Sequence, residues 1–537
     1  MNPARWSVGV DEFWAPGIAA ARAGWLAGIA AFALYAATSS SYVFSADPAQ
    51  FQTMARTGGI AHAGYPTIVL LFQLAALVPF GTLALKANLV SAIAGAIAVG
   101  LTAYAGARLT RSAFAGATAA VAFALSLTLW QESTLAGVHS FTLALDAAVF
   151  LLALRFAAAP TARLAAAIGL LFGIALTSHL TCLSLLFPLG VVLALVARRG
   201  TLRAGHLGAA FAGLLVGLTP FLYLLAMDQA SQPMNYIRDT IDPALVPFAV
   251  DHPTPAQRGQ RFAWLLTGRQ YLEHGGLLAP HSVRFRFELL AIDLVLNEFP
   301  LVGSVLVAVG LVLLARRRDA VALALAAWLA GAVFFVAIGA VSFMVRIFFL
   351  PGALVCALAL AVTLAGLRRA APAAAWLAAL LVVLAPIARA TGHLPLSIGP
   401  PGGRIAATAR LWPEEWDPFV DDRSWDAFGR GVMARVEPRA VILSCWQTAT
   451  TMRYFVHGEP LRPDVEVAYA CDFAPRFQRM ARAAEAAGRP VYANYEPSAE
   501  LLGGGTAEHV WTNGRGTLWR VHLPAAADSG QDRATLR

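Results

Sequence analysis

The residue types that could do chemistry first gather in the polar stretch 47–67, DPAQFQTMARTGGIAHAGYPT. It begins where the first apolar run ends, in a chain of 537 residues that is 58% hydrophobic. A polar stretch at such a place lies at the water-facing mouth of a membrane protein, and a carboxylate there is a candidate functional group. Asp47 can take a proton from a hydroxyl that arrives from water. It can equally cap the helix over AQFQTMA, because Asp-Pro starts helices well. Gln50, Arg56, His62 and Tyr65 share the stretch. His62 alone reads most simply as a turn histidine, and Tyr65-Pro66 fixes the turn into the next segment.

Further polar residues fall at the ends of apolar runs. Trp130, Gln131, Glu132 and His139 bracket one short loop, and His179 closes the run that begins near Leu164. Arg346, in SFMVRIFFLPG, is a lone arginine outside any cationic cluster. Such a side chain suits a phosphate or pyrophosphate group, or else it snorkels to lipid headgroups. Arg261, Arg269 and Tyr271 could line the same cavity, although solvated loop charges are the default for any one of them. No His/Cys/Glu set has metal-ligand spacing, and no Gly-rich nucleotide loop follows a strand. A divalent metal stays open without a visible ligand set, and no cofactor is assigned.

The elements that must position these groups are membrane helices. Mean hydropathy is +0.63, and only 13% of residues are charged, against about 25% in soluble domains. A pI near 9.8 raises nucleic acid as a partner, but the arginines form short clusters between apolar runs, which is an orientation signal rather than a binding stripe. Runs long enough to span, about 17–25 residues, are drawn at 22–40, 86–106, 112–130, 140–158, 164–179, 181–197, 206–226, 300–315, 319–341, 346–366 and 371–388. The shorter run Thr67–Phe80 is settled by charge parity. If it lies along the outer interface, and the N-terminus is cytoplasmic, then Arg108/Arg111, Arg155/Arg163, Arg198/Arg199/Arg203, Arg316–Arg318 and Arg368/Arg369 share the cytoplasmic side. About eleven spans follow. The first run, uncharged from Ala23 to Ser45, reads as an anchor rather than a cleaved signal. High Ala and Arg content hints at a GC-rich bacterial genome.

The same parity places three long segments outside: 46–85, 227–299 and everything past about Arg389. A Gly/Pro break, LPLSIGPPGGR, separates residues 1–390 from an extracytoplasmic unit at 391–537. There AVILSCW, VEVAYAC and RPVYANY read as strands, and RFQRMARAAEAAG as a helix stopped by Gly488, which makes a small α/β domain. Cys182 and Cys356 fall in spans as small buried side chains. Cys445 and Cys471 each end a strand on the oxidising side, and they can bridge if those strands are neighbours.

Several of these stretches together resemble the bacterial branch of the protein O-mannosyltransferase-like C-type glycosyltransferases, a family with a Gly-Asp-x-x-Glu, a His-Pro-Pro-Gly-Tyr-Pro-Leu, a Leu-Pro-Phe-Gly-Asn and an Arg-x-Asn-Leu motif in that order. This chain shows ADPAQ at 46–50, HAGYPT at 62–67, LVPFGT at 77–82 and KANLVSA at 86–92. WQESTLAGVHSF at 130–141, SHLT at 178–181 and YFVHGEPLRPDV at 454–465 continue the match over nearly the whole chain. Departures are Gln50 in place of the family's second loop acid, the loss of one proline before Gly64, and Gly137-Val138-His139 in place of Glu-Val-Tyr.

The resemblance implies a polytopic GT-C-like helical membrane protein of the bacterial inner membrane, with a periplasmic C-terminal α/β domain. It implies an inverting transfer of a sugar, mannose among the candidates, from a polyprenyl-phosphate donor to a hydroxyl on protein, glycan or lipid. Asp47 is then the base. Arg346, Arg269, His179 and Tyr271 bind the donor phosphate, and His62, Tyr65, Gln50, Glu132 and His139 support the acceptor or the loop. A lipid or solute transporter would instead show inverted repeats and functional polar residues at mid-membrane, and a non-catalytic scaffold with an outer binding domain would not need Asp47. Nucleic acid is not expected as a partner.

Overall fold

The computed structural model describes residues 10–11, 13–14, 18–229, 232–241, 246, 250, 252–269, 280–338, 345–391, 422–471 and 473–524. The chain opens with α1 (Ile18–Thr38), a lateral helix α2 (Ala46–Thr57), the short α3 (Pro66–Ala76) and the long α4 (Leu83–Thr110). Next come α5 (Ala113–Ala124), α6 (Leu127–Thr134), α7 (His139–Ala158), α8 (Ala162–Leu176), a 3-10 turn Leu180–Leu185 that runs into α9 (Leu186–Arg198), α10 (Ala204–Gly217) and α11 (Phe221–Gln229). After two short helices, α12 (Tyr236–Thr240) and α13 (Pro255–Leu266), the bundle resumes with α14 (Pro280–Asp293), α15 (Val302–Arg317), α16 (Ala320–Ile338), the single turn α17 (Val345–Phe348), α18 (Leu350–Ala370) and α19 (Pro372–Ala390).

Among the described residues eight helices are long and apolar enough to cross a membrane, or up to ten if each of two bent pairs is one span. The eleven stretches drawn from the sequence all fall on helical segments, but they are more than the spans the structure supports, because several are not single long rods. The stretch 164–179 yields a helix of only 15 residues. The stretch 112–130 is broken between α5 and α6 by a 67° bend, and α15 meets the helix before it at 115°. The second bend contains Pro300, which cannot continue a helix, and Leu301 at φ 46°. The first lays α6, with Gln131 and Glu132, across the end of the bundle instead of letting it run straight on. The chain is a multi-pass membrane protein.

Side chains sort by surroundings. Trp25, Leu26, Phe211, Leu215, Trp376 and Leu377 stand exposed on α1, α10 and α19, as bilayer-facing residues must. Inside, Phe150 stacks on Trp328 at 4.8 Å, and α1 approaches α4 so closely that a Cβ on Gly24 would lie 3.0 Å from the Gly100 carbonyl oxygen. Helix α3 buries Ile68, Val69 and Phe72 and leaves Leu74 exposed, and the exposed Leu77 and Phe80 follow it. One face of α3 is thus packed against the bundle and the other is open.

Arginines from different clusters meet at one end of the bundle. Arg108 Nε donates to the Phe13 carbonyl at 2.6 Å, and Arg155 sits over the Trp14 ring. Arg199 donates to the Ala157 carbonyl, Arg317 to Leu109 and Arg369 to Thr110. The N-terminal segment is on this end too, whereas α2, α6, His139 and His179 lie at the other.

Past the bundle, α20 (Ser424–Met433) leads into β1 (Val441–Ser444), α21 (Trp446–Arg453), β2 (Glu466–Tyr469), α22 (Ala474–Ala486), β3 (Val491–Ala493), β4 (Thr506–Asn513) and β5 (Gly516–His522). The five strands form one sheet in the order β2-β1-β3-β5-β4. Strand β1 is parallel to both neighbours, with Val441 opposite Glu466 and Val491, and β5 is antiparallel to β3 and β4. Gly488, at φ +67°, follows α22 where the sequence places its stop. Cys445 and Cys471 form a disulfide with Cα atoms 5.0 Å apart.

Candidate active site

Asp47 lies in the first turn of α2. The residue at the cap is Ser45, so the carboxylate is not spent on capping. It sits where the positive end of the helix favours an anion. His62 Nε2 is 3.2 Å from Asp47 Oδ2, and the Trp446 indole donates from Nε1 to Oδ1 at 3.1 Å. One turn further along α2, Gln50 Oε1 lies 2.7 Å from His62 Nδ1. The Asp47 side chain keeps about 37% of its exposure, so it is walled by protein yet reachable from water.

Burial pushes the Asp47 carboxyl upward. The attraction of His62, hydrogen bonds from His62 and Trp446, and the more distant His179 together outweigh it and hold Asp47 below the usual carboxylate value. Near neutrality Asp47 is therefore an anion.

The turn that presents His62 is strained. Ala63, Gly64 and Tyr65 are all left-handed, at φ 54°, 91° and 48°, a conformation that non-glycine residues adopt at a cost. It is held in register by Ile60, whose N–H donates to the Met234 carbonyl and whose carbonyl accepts from Tyr236, both at 2.9 Å. The result sets Tyr65 edge-on to His62 at 5.1 Å and brings the Tyr236 ring to 6.2 Å. Burial, and after it the charge of Asp47, push the Tyr236 phenol up to about 12; it stays neutral.

From Asp47 a file of rings runs across the bundle end. Tyr65 stacks on His179 at 5.5 Å, His179 meets His139 at 4.5 Å, and Phe348 stacks on His179 at 5.9 Å. His179 is fixed by capping its own 3-10 turn, its Nδ1 accepting from the Thr181 N–H. Two residues before Phe348, Arg346 is buried and donates from Nη2 to Gln131 Oε1 at 3.0 Å. It turns inward rather than snorkelling. Glu132, beside Gln131, lies within electrostatic reach of both Arg346 and Asp47, and Asp293 and Glu298 also feel Arg346.

The structure thus brings Asp47, Gln50, His62, Tyr65, Glu132, His139, His179 and Arg346 to one bundle end. Arg269 is exposed just beyond α13, and Tyr271 lies outside the described residues. Arg261 is buried and pairs with Asp228. Two site residues are absent from the sequence-derived set, Trp446 and Tyr236. A half-buried tryptophan after a strand looks like core; the only cue to Trp446 is its place beside Cys445. An apolar cavity of about 300 Å³, lined by residues such as Phe156, Leu193, His206 and Phe211, lies toward the arginine-bearing end and contributes nothing here. Among the described residues no three His, Cys, Asp or Glu side chains gather to hold a metal.

What the fold defines is a class: the polytopic GT-C architecture. ArnT from Cupriavidus metallidurans in its apo state superposes with a TM-score of 0.53 at 14% identity, over 93% of this chain and 98% of that one. The same protein bound to undecaprenyl phosphate gives 0.50 at 12%, over 92% and 97%. Within the class, residues 47–202 match the family described as the protein O-mannosyl-transferase TMEM260 N-terminal domain. A stretch of 119 residues is 36% identical to protein O-mannosyl-transferase TMEM260 of Mus musculus, covering 22% of this chain. That stretch spans 17% of the mouse protein's length. The resemblance to the protein O-mannosyltransferase-like family is thereby shown for the segment that carries Asp47, His62, Glu132, His139 and His179.

Proposed function

We propose that the protein is an inverting glycosyltransferase that moves a sugar from a polyprenyl-phosphate donor to an acceptor hydroxyl at the outer face of a bacterial plasma membrane. The observation that carries this is the Asp47 carboxylate, anionic and water-reachable, at the head of a ring file that ends beside a buried arginine. Asp47 takes the proton of the acceptor hydroxyl. The acceptor oxygen bonds to the anomeric carbon as the bond from that carbon to the phosphate oxygen breaks, with inversion. Arg346 offsets the charge that stays on the leaving polyprenyl phosphate. The undecaprenyl phosphate bound by the similarly folded ArnT supports a polyprenyl carrier, and the name of the mouse relative favours mannose on a protein hydroxyl.

The arginine-rich end is assigned to the cytoplasm by the positive-inside rule. This puts the N-terminus inside and the site outside. It also puts outside an α/β domain at 391–537, joined to a transmembrane catalytic domain at 1–390 and able to place the acceptor.

The test is transfer from a polyprenyl-phosphate-linked mannose to an acceptor by the reconstituted protein. A general base contributes about 10²–10⁴-fold, so Asp47→Asn should lose that much while donor binding and melting temperature hold. Transfer by Asp47→Asn at the wild-type rate would reject Asp47 as base and make Glu132 the next residue to test. Donor binding without any transfer would favour a transporter or scaffold.

A further inference from the structure

The base belongs to α2, but one of its two hydrogen-bond donors comes from the C-terminal sheet unit, 399 residues away. Helix α21, which begins with Trp446, packs along α2, and Thr451 of α21 donates to the Phe44 carbonyl just before α2. The contact is extended by Arg56 of α2, which donates to the Gly458 carbonyl at 3.3 Å. The Trp446 ring is edge-on to Tyr236 at 5.6 Å and to Tyr469 at 6.4 Å. It is therefore gripped from the outer loop and from the end of β2 at once. Its backbone is anchored too: Cys445, the residue before it, is bridged to Cys471, and Ser444 lies in register with Tyr469.

We infer that Trp446 is a positioning residue for Asp47, aiming one carboxylate oxygen while His62 holds the other, and that the Cys445–Cys471 bridge fixes the strand-to-helix turn from which it reaches. This rests on the proposed transfer function. The bundle then lacks a complete base until the sheet unit is docked and its disulfide closed. An indole N–H on a carboxylate oxygen stabilises the anion, so removing it should make Asp47 easier to protonate. The other titratable groups that face Asp47 are His62, His179, Glu132 and Tyr236, and none of them changes in the test.

The experiment is the pH profile of transfer for wild type, Trp446→Phe, and a Cys445→Ser/Cys471→Ser double variant, each in the full-length reconstituted protein. Trp446→Phe keeps a ring but loses the donor. Its acidic limb should move up by about half to one pH unit, and kcat should fall about tenfold with the donor KM unchanged. The double variant should move the same way by less. A purely packing role would lower the melting temperature and leave limb and kcat per folded molecule where they were, and that result overturns the inference. If Trp446→Phe does not fold, the wild-type indole N–H resonance of Trp446 decides. It should titrate with Asp47 and stop titrating in Asp47→Asn; an indole indifferent to both overturns the inference. Full activity of Asp47→Asn would sink the transfer mechanism itself, an outcome distinct from failure of Trp446.

Discussion

Asp47 and Gln50, three residues apart on α2, grip the two ring nitrogens of a single histidine. Nε2 of His62 faces Asp47 at 3.2 Å and Nδ1 faces Gln50 at 2.7 Å. Residues at this spacing lie on one face of a helix, so α2 alone sets both partners and leaves the imidazole one orientation. In the family pattern an acid stands where this chain has Gln50. The neutral amide keeps the grip on Nδ1 and leaves Asp47 as the one carboxylate on the ring.

The charge of Asp47 depends on that ring. Replacing His62 with alanine removes the largest of the influences that hold the carboxyl down, so Asp47 should titrate higher. A base works only when deprotonated, and its acidic limb should therefore shift to higher pH, by about half to one unit. Asp47 stays an anion at pH 7 after a shift of that size, so any fall in rate there, about tenfold for one lost hydrogen bond, would come from the lost aim of the carboxylate and not from its protonation. An unshifted limb in the pH profile of His62→Ala would show that His62 does not act through Asp47.

Asn88, in the KANLVSA motif, is a brace behind the site. Its Oδ1 accepts from Gln52 Nε2 at 3.1 Å and from the Ala136 N–H at 2.8 Å, and its Nδ2 donates to the Ser40 carbonyl. It thereby ties α2, the α6–α7 loop and the segment after α1 to α4. Asn88 is fully buried, so Asn88→Ala strands its partners at a cost of about 1–3 kcal/mol. A melting temperature in detergent lowered by several degrees is expected. No change would mean that the brace is redundant.

How far the sequence foretells this site depends on distance along the chain. Asp47, Gln50, His62 and Tyr65 share one polar stretch, and hydropathy alone exposes it. His139, His179 and Arg346 are legible because each is polar at the end of an apolar run. Trp446 and Tyr236 are not legible, since the Ile60–Tyr236 pairing and the docking of α21 on α2 are tertiary contacts with no periodic trace. The β4–β5 hairpin is a different case. Asn513-Gly514 between β-branched and aromatic residues is a hairpin signal, absent from the strands read at the sequence level. Helix bends at Ser126 and Pro300 escape a window that scores only length and apolarity.

The LRPDV motif predicts a pH-dependent stability. Arg462 makes a two-pronged contact with Asp464 at 2.8 and 2.9 Å and donates to the Met433 and Val436 carbonyls. These bonds from Arg462, then the Arg439 N–H, hold the Asp464 carboxyl well below its usual range. A depressed carboxylate stabilises the fold above the unfolded-state value, near pH 4, and loses that contribution as pH falls further. Melting of the full chain should decline as pH drops from about 4 toward 2. Arg462→Ala should melt lower at neutral pH and show a shallower acid decline. Equal slopes for both proteins would remove Arg462–Asp464 as the cause.

Arg346 offers the sharpest separation between charge and geometry. Its guanidinium is buried and already spends one donor on Gln131 at 3.0 Å, which fixes the plane it presents at the end of the ring file. A lysine keeps the charge but is a point donor without that plane. If Arg346 stabilises the leaving phosphate, Arg346→Lys should lose about 10–100-fold in kcat, the size of one charge-assisted hydrogen bond. Arg346→Ala should lose about 10²–10³-fold, as removal of a transition-state donor does. Removing the charge also leaves Glu132, Asp293 and Glu298 without their nearby cation, so melting temperatures must be compared first and rates taken per folded molecule. A donor whose leaving group carries its own charge better, such as a pyrophosphate-linked sugar, should narrow the loss, because less stabilisation is asked of the protein. Wild-type kcat in Arg346→Ala, or a loss confined to KM, would move Arg346 from bond breaking to simple donor binding.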